Sequence, residues 1–150
     1  MTRRNLACFL SLLALMTLAA ACGGSDSPTS PSGSLPPTGT APYSQTDLRV
    51  GTGSEVLAGQ TVTVSYTGWL YSDTAAENKG TVFNGPNQRA QFSLASVIAG
   101  WQRGIPGMKV GGVRRLVTPP ELAYGSSTPD ATRIPPNATL LFEVELISIP

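Results

Sequence analysis

The chain has 150 residues, enough for one domain of ordinary size, and its 10 Lys and Arg against 9 Asp and Glu leave a formal net charge of +1. This balance argues against a general affinity for nucleic acid, which depends on an excess of basic residues. The sequence has no histidine and two cysteines, which excludes Ser-His and Cys-His nucleophile pairs and leaves too few donors for a zinc cluster, so we expect neither a metal nor another cofactor.

The N-terminal segment has the pattern of a secretory signal peptide. Arg3 and Arg4 precede an uncharged apolar run from residue 6 to residue 18, and three alanines follow. At a rise of ~1.5 Å per residue this run covers about 20 Å, which is short of the roughly 30 Å of a bilayer core. We therefore expect residues 1–21 to be a signal peptide that is removed, in preference to a helix that spans the membrane.

A cysteine follows the alanines, and the tract Leu18-Ala19-Ala20-Ala21-Cys22 resembles the lipobox of bacterial lipoproteins. In that family lipid is attached to the cysteine thiol and the chain is cut in front of it. The third residue before the cysteine, usually Leu, is Ala19 here, with Leu18 one position earlier. Ordinary cleavage after Ala-X-Ala would cut the same bond and leave a free thiol. The resemblance implies lipidation of Cys22 and a protein anchored in the cell envelope of a bacterium, at the outer membrane or periplasmic face.

A linker separates this cysteine from the folded part of the chain. Gly, Ser, Pro and Thr make up 17 of the 20 residues from 23 to 42, and only Leu35 and Ala41 could be buried. No core can form from this composition, and a flexible chain of that length spans about 25 Å. We therefore divide the chain into a signal peptide at 1–21, a lipidated cysteine and linker at 22–43, and a domain at 44–150.

The domain contains two segments with the period-2 alternation of half-buried antiparallel strands. Residues 61–67 place Val62, Val64 and Tyr66 on one face, and residues 140–147 alternate in the same way. Weaker strand candidates lie at 47–50, 91–94 and 113–118. The pair Arg114-Arg115 interrupts the alternation of the last candidate and leaves its register open.

One stretch, Ser96 to Arg103, has the spacing of a helix. Val97, Ile98 and Trp101 fall on one face, and the Gly and Pro that follow end it. Several antiparallel strands with a single two-turn helix predict an α+β fold in which a curved sheet closes over that helix.

Seven short motifs then occur in a fixed order along the domain. They are Val64-Ser65-Tyr66-Thr67-Gly68-Trp69, Val82-Phe83-Asn84, Phe92-Ser93-Leu94, Val97-Ile98-Ala99-Gly100-Trp101, Glu121-Leu122-Ala123-Tyr124-Gly125, Ile134-Pro135-Pro136-Asn137-Ala138-Thr139-Leu140 and Phe142-Glu143-Val144-Glu145-Leu146. The series resembles the FKBP-type peptidyl-prolyl cis-trans isomerases over essentially all of residues 44–150. The resemblance implies an antiparallel half-barrel of five or six strands wrapped around the short helix.

The reaction that the resemblance implies needs no general acid or base, which agrees with a chain that has no histidine. Rotation about an X-Pro bond needs no proton transfer, because its barrier of ~18–20 kcal/mol is set by amide resonance. The planar amide is more dipolar than the twisted transition state, so an apolar pocket favours the twisted state.

The resemblance also assigns the site residues. The catalytic set that it implies is Tyr66, Phe83, Asn84, Trp101, Tyr124 and Phe142, and the substrate-binding set is Phe92, Val97, Ile98 and Ile134. Trp101 would form the floor, Tyr124 would offer its hydroxyl, and the backbone N–H of Ile98 would meet the substrate carbonyl. This last role agrees with the unpaired donors of a helix N-terminus.

The chain departs from the family pattern in four places. Asn84 replaces the usual Asp, which keeps an acceptor oxygen but loses the charge, and Ala90 replaces a larger wall residue. The connection 71–82 is longer than in minimal members, and the loop 126–133 is atypical. We expect weaker hydrogen bonding to ligands from the first change and altered substrate choice from the others.

Two hypotheses about function follow. The first is a membrane-tethered monomeric isomerase that acts on proline-containing polypeptides outside the cytoplasm and is open to macrolide inhibitors. The second is a chaperone or assembly module in which the same pocket binds proline loops with little turnover, a hypothesis motivated by Asn84 and Ala90. The accelerated isomerisation of a short proline peptide discriminates between them.

Overall fold

The computed structural model describes residues 39–150. The predicted signal peptide, Cys22 and most of the predicted linker lie outside the described residues. No helix in the described range is both long enough and apolar enough to cross a membrane.

The described residues form one antiparallel sheet and one short α-helix. In chain order the elements are β1 (Ser44–Arg49), β2 (Thr61–Tyr71), β3 (Lys79–Ser93), α1 (Ala99–Gly104), β4 (Val113–Thr118) and β5 (Leu140–Ser148), with single 3-10 turns at Ala76–Asn78 and Pro120–Leu122. The strand order in the sheet is β1-β4-β5-β2-β3, and every neighbouring pair is antiparallel. The predicted α+β fold is confirmed, with five strands in residues 39–150.

The core lies on one face of this sheet, against α1. The predicted inward residues of β2 and β5 are buried except Tyr66, which is partly buried, and Val64 and Leu146 have no exposed surface. The two strands are central neighbours, with Gly68 opposite Phe142. From α1 and the segment after it, Trp101 and Ile105 complete the core.

β3 is much longer than the segment at 91–94 that the sequence predicts. It is an edge strand whose residues are all exposed or only partly buried, so no apolar alternation marks it. It also contains Gly85 and Pro86, which an edge strand tolerates because one of its sides carries no ladder hydrogen bonds. β1, the other edge, is exposed throughout and begins at Ser44, three residues before the predicted start.

The helix is shorter at its start than the predicted 96–103. Ser96 lies in a turn in which its N–H donates to Ser93 O, and Ile98 has the extended dihedrals of a residue that precedes a helix (φ −57°, ψ 149°). The helical residues therefore begin at Ala99 and end at Gly104.

β4 is a regular strand despite its two arginines. Arg114 is buried together with Leu116 and Thr118, so it takes an inward position, and Arg115 points to the other face. The register that the sequence left open pairs Arg114 with Asp47 of β1 and Val144 of β5.

Two glycines let α1 approach β4 closely. Gly100 and Gly104 are one turn apart and so lie on one side of the helix. A Cβ built on Gly100 would clash with Thr118 Cγ2 and would lie 2.8 Å from Thr118 Oγ1. A Cβ on Gly104 would clash with Leu116 and would lie 2.7 Å from the Tyr43 hydroxyl. Side chains at either position would force the helix away from the sheet.

We predict that Gly100→Ala destabilises the protein. Ala normally favours a helix over Gly by roughly 1 kcal/mol. Here the added methyl meets a packed wall, so we expect the free energy of unfolding in urea to fall by about 1–3 kcal/mol. Thr118→Ala in the same chain removes both clashing atoms and should recover part of the loss. An unchanged or increased free energy of unfolding in the single variant would contradict this packing.

Candidate active site

A cavity of about 400 Å³ opens over α1 on the inner face of the sheet. All ten site residues predicted from the sequence line it, namely Tyr66, Phe83, Asn84, Phe92, Val97, Ile98, Trp101, Tyr124, Ile134 and Phe142. The structure thus brings together residues from β2, β3, β5, α1 and the turn before it, Tyr124 and the loop that follows Tyr124. The individual roles of these residues stay predictions.

Trp101 lies at the base of the cavity, with 4% of its surface exposed. Its ring meets those of Tyr66, Phe92 and Phe142 edge to face, with centroid separations of 5.0, 5.6 and 5.4 Å and interplanar angles of 84–89°. Phe83 extends the group by an edge contact of 5.6 Å to Phe142. Such pairs contribute about 0.5–1.5 kcal/mol each beyond area burial, so the rings hold one another in place.

A glycine in β2 makes room for one wall of the cavity. A Cβ on Gly68 would lie 2.5 Å from Phe83 Cζ, so a side chain at this position would displace the Phe83 ring. Gly68 is opposite Asn84 on β3 and Phe142 on β5, where the ladder between β2 and β3 changes register. The irregular pairing directs the Phe83 ring over the strand and into the site.

Two hydrogen-bond donors in the lining have no partner within residues 39–150. The backbone N–H of Ile98 donates to no described acceptor, and the Tyr124 hydroxyl makes no hydrogen bond to a described residue. Burial raises the pKa of Tyr124, with a smaller contribution from Tyr66, so its O–H remains a donor at neutral pH. Both donors are available to the carbonyl groups of a bound peptide.

Asn84 lines the cavity, and its Nδ2 is buried with no partner among the described residues. Trp101 Nε1 is also buried and has no hydrogen-bond partner among the described residues. Asn84 therefore presents a donor as well as an acceptor to the cavity. Ala90 lies opposite buried Val64 and does not line the cavity, so the small side chain contributes no wall there.

Sequence reasoning did not identify three lining residues, Ser96, Asp130 and Arg133. The last two lie in the loop that follows Tyr124, and Arg133 Nη1 is 3.5 Å from Phe83 O, to which it donates. Both charged side chains lie at the rim, where 67% of Arg133 and 45% of Asp130 are exposed. A loop has no periodicity that would mark such residues, and the available signal was their place between the Tyr124 and Ile134 motifs.

The carboxyl group of Asp130 in the lining stays ionised around neutral pH. The Asp130 carboxylate accepts hydrogen bonds from the hydroxyl and the N–H of Thr132, and these lower its pKa. Within residues 39–150 no three Cys, Asp or Glu side chains gather as a metal-binding group would require. The arrangement can enclose an apolar ring, remove water from an amide and donate hydrogen bonds to carbonyls.

Comparison with known proteins identifies a family and several relatives. The model of the FKBP-type peptidyl-prolyl cis-trans isomerase family matches residues 53–147. An "FK506-binding protein" of Neisseria meningitidis serogroup B is 44% identical over 108 residues, which cover 69% of this chain and 92% of the relative. A "Probable FK506-binding protein" of Corynebacterium glutamicum is 44% identical over 115 residues, which cover 75% and 92%.

Two solved structures share the fold. The crystal structure of a peptidyl-prolyl cis-trans isomerase from Pseudomonas syringae is 36% identical with a TM-score of 0.59, and the match covers 71% of this chain and 74% of that one. The crystal structure of FkpA from Escherichia coli is 34% identical with a TM-score of 0.57, covering 71% and 47%.

Proposed function

The chain belongs to the FKBP-type peptidyl-prolyl cis-trans isomerase family, and we propose that it accelerates X-Pro rotation in proteins outside the cytoplasm while lipid at Cys22 anchors it to a bacterial membrane. The observation that carries the catalytic part is the cavity of about 400 Å³, which has the Trp101 ring at its base and two donors without described partners in its lining. The lipobox-like tract supports the location.

The catalytic effect comes from exchanging water for an apolar wall. A prolyl ring over Trp101 lies among aromatic rings, so the X-Pro amide loses hydration that stabilises its dipolar planar form. The twisted transition state loses less stabilisation by hydration, because its amide resonance is already broken and it is less dipolar. A 10⁶-fold acceleration requires about 8 kcal/mol of differential stabilisation, which desolvation, shape and hydrogen bonds share.

The donors in the lining orient the peptide. The Ile98 N–H, at the position before α1, binds the substrate carbonyl, and the Tyr124 hydroxyl binds a second carbonyl. Asn84 adds an uncharged donor and acceptor in place of a carboxylate. Because none of these groups exchanges a proton with the substrate, the reaction proceeds without a covalent or ionised intermediate.

The same cavity also suits a macrolide, the class of ligand for which relatives of this chain are named. Relatives from Neisseria and Corynebacterium are named for binding FK506, a macrolide. We extend this to the present chain because its aromatic base can bury an apolar ring, and the donors of Ile98 and Tyr124 can bind carbonyls. A monomer suffices for this function, since all ten predicted site residues belong to one chain.

We predict that Trp101→Leu lowers kcat/KM for a proline tetrapeptide by roughly tenfold or more, because edge contacts worth about 0.5–1.5 kcal/mol each are lost. Tyr124→Phe should lower it about fivefold, the equivalent of one hydrogen bond of about 1 kcal/mol. Trp69→Phe is the matched control, because Trp69 does not line the cavity and its ring contacts Lys79 instead. The measurement is a protease-coupled assay.

An absence of acceleration above buffer by the wild-type chain would reject the enzyme. Assisted refolding of a proline-containing protein by that inactive chain would support the proline-loop-binding chaperone in its place. Equal losses in Trp69→Phe and Trp101→Leu would show that the rate does not depend on the cavity floor.

The anchor is tested by the intact mass of the native protein. We expect a chain that begins at Cys22, carries acyl groups and partitions into detergent, since buried acyl CH₂ groups contribute about 0.8 kcal/mol each to membrane binding. Cys22→Ser should lose this mass and partition into the aqueous phase. A mature protein with a free thiol at Cys22 would contradict lipidation and leave the isomerase untouched.

A further inference from the structure

Arg114 is the one charged residue among those described that is buried, with 8% of its surface exposed. A buried guanidinium is costly unless charges and hydrogen bonds compensate it. Its partners therefore indicate what the position requires. Arg114 does not line the cavity.

The guanidinium joins the edge strand β1 to the end of α1. Arg114 forms a bidentate ion pair with Asp47, in which Nε lies 2.5 Å from Oδ1 and Nη2 lies 3.0 Å from Oδ2. Nη1 donates to Gly104 O at 2.7 Å and lies 3.4 Å from Pro106 O. Arg114 thus satisfies a carbonyl at the helix C-terminus, where a cation is also favoured by the helix dipole.

This helix end is coupled directly to the cavity floor. α1 has six residues, and Gly104 lies three residues after Trp101, less than one turn away. The Ile105 N–H closes the last turn by donating to Trp101 O at 3.0 Å. A movement of the Gly104 carbonyl is therefore transmitted to the Trp101 backbone and to its ring.

The other contacts between α1 and β4 are van der Waals contacts of the helix glycines with Thr118 and Leu116. Such contacts set the distance between helix and strand, but they do not prevent the helix from shifting along the strand. Arg114 is the β4 side chain that hydrogen-bonds to the helix. Together with the Tyr43 hydroxyl, which donates to Gly100 O at 3.2 Å, it fixes where along β4 the helix sits.

We propose that Arg114 is a positioning residue for isomerisation, which acts through α1 to hold the Trp101 ring at the floor of the cavity. The proposal rests on the isomerase function proposed above. Asp47 holds the guanidinium in turn, and the hydrogen bond from Arg114 is the main cause of the lowered pKa of Asp47.

The next residue in the chain provides a matched control. Arg115 lies on the opposite face of β4, where its Nη2 is 2.7 Å from Glu143 and 3.0 Å from Glu77. Arg115→Met removes the same charge from the same strand as Arg114→Met, breaks ion pairs as well, and leaves the helix contacts intact.

The experiment compares the two Met variants in the full chain carrying Trp69→Phe, so that fluorescence reports Trp101 alone. At a temperature where both are folded by circular dichroism, Arg114→Met should lower kcat/KM by about tenfold and shift the Trp101 emission, since small misplacements in a site have large effects on rate. Arg114→Lys should recover part of the rate. Arg115→Met should leave both readouts near wild type.

Asp47→Asn keeps the proposal testable if Arg114→Met does not fold. Its side chain is 41% exposed on an edge strand, so we expect the variant to fold. It should cause a smaller loss of kcat/KM and a smaller emission shift in the same direction.

The proposal would be overturned if a folded Arg114→Met variant kept the wild-type rate and emission. If Arg114→Met does not fold, the same result in Asp47→Asn would overturn it. Equal effects of Arg114→Met and Arg115→Met would also overturn it. If the wild-type chain is inactive, the proposed function fails, and the Trp101 emission with its change on binding a proline peptide still tests the positioning role.

Discussion

Both the hydrophobic core and the cavity require that α1 pack close to β4. Gly100 and Gly104 remove the side chains that would separate helix from sheet, and the helix can then place Trp101 against the inner face. That placement brings the ring within 5.0–5.6 Å of aromatic partners on three different strands. It also leaves the Ile98 N–H beside the cavity, because the helix begins only at Ala99.

One apolar interior therefore serves two purposes. Phe142 is 3% exposed and belongs to the core, yet it also lines the cavity, and Tyr66 packs on the core while facing the same space. An enzyme that transfers protons needs ionisable groups in such an interior, and these groups need charged or hydrogen-bonding partners because burial is unfavourable for them. Rotation about an X-Pro bond has no such requirement, so a small domain without histidine can use its hydrophobic core as the catalytic surface.

The sequence predicted the parts of the fold that burial marks most strongly. β2 and β5 are central and half-buried, so their alternation is visible in the sequence, whereas edge strand β3 has no buried residue and is predicted only at its last three positions. The pair Arg114-Arg115 interrupts the apolar alternation of predicted strand 113–118, because the partner of Arg114, Asp47, is 67 residues away and no local pattern shows such a pair. The cavity residues came from motifs of a resembled family, since periodicity alone does not distinguish a pocket wall from a core. Asp130 and Arg133 were missed because loop position depends on tertiary contacts.

Apolar enclosure accelerates the rotation without proton transfer, so the decisive measurement is the dependence of kcat/KM on pH. The pKa of Tyr124 is raised by burial and that of Asp130 is lowered by hydrogen bonds from Thr132, so the first stays neutral and the second stays charged around neutral pH. We therefore expect kcat/KM for a proline peptide without ionisable side chains to stay constant within about twofold from about pH 6 to pH 9. A bell-shaped profile with limbs that fall roughly tenfold per pH unit in that range would show general acid-base catalysis and contradict the account.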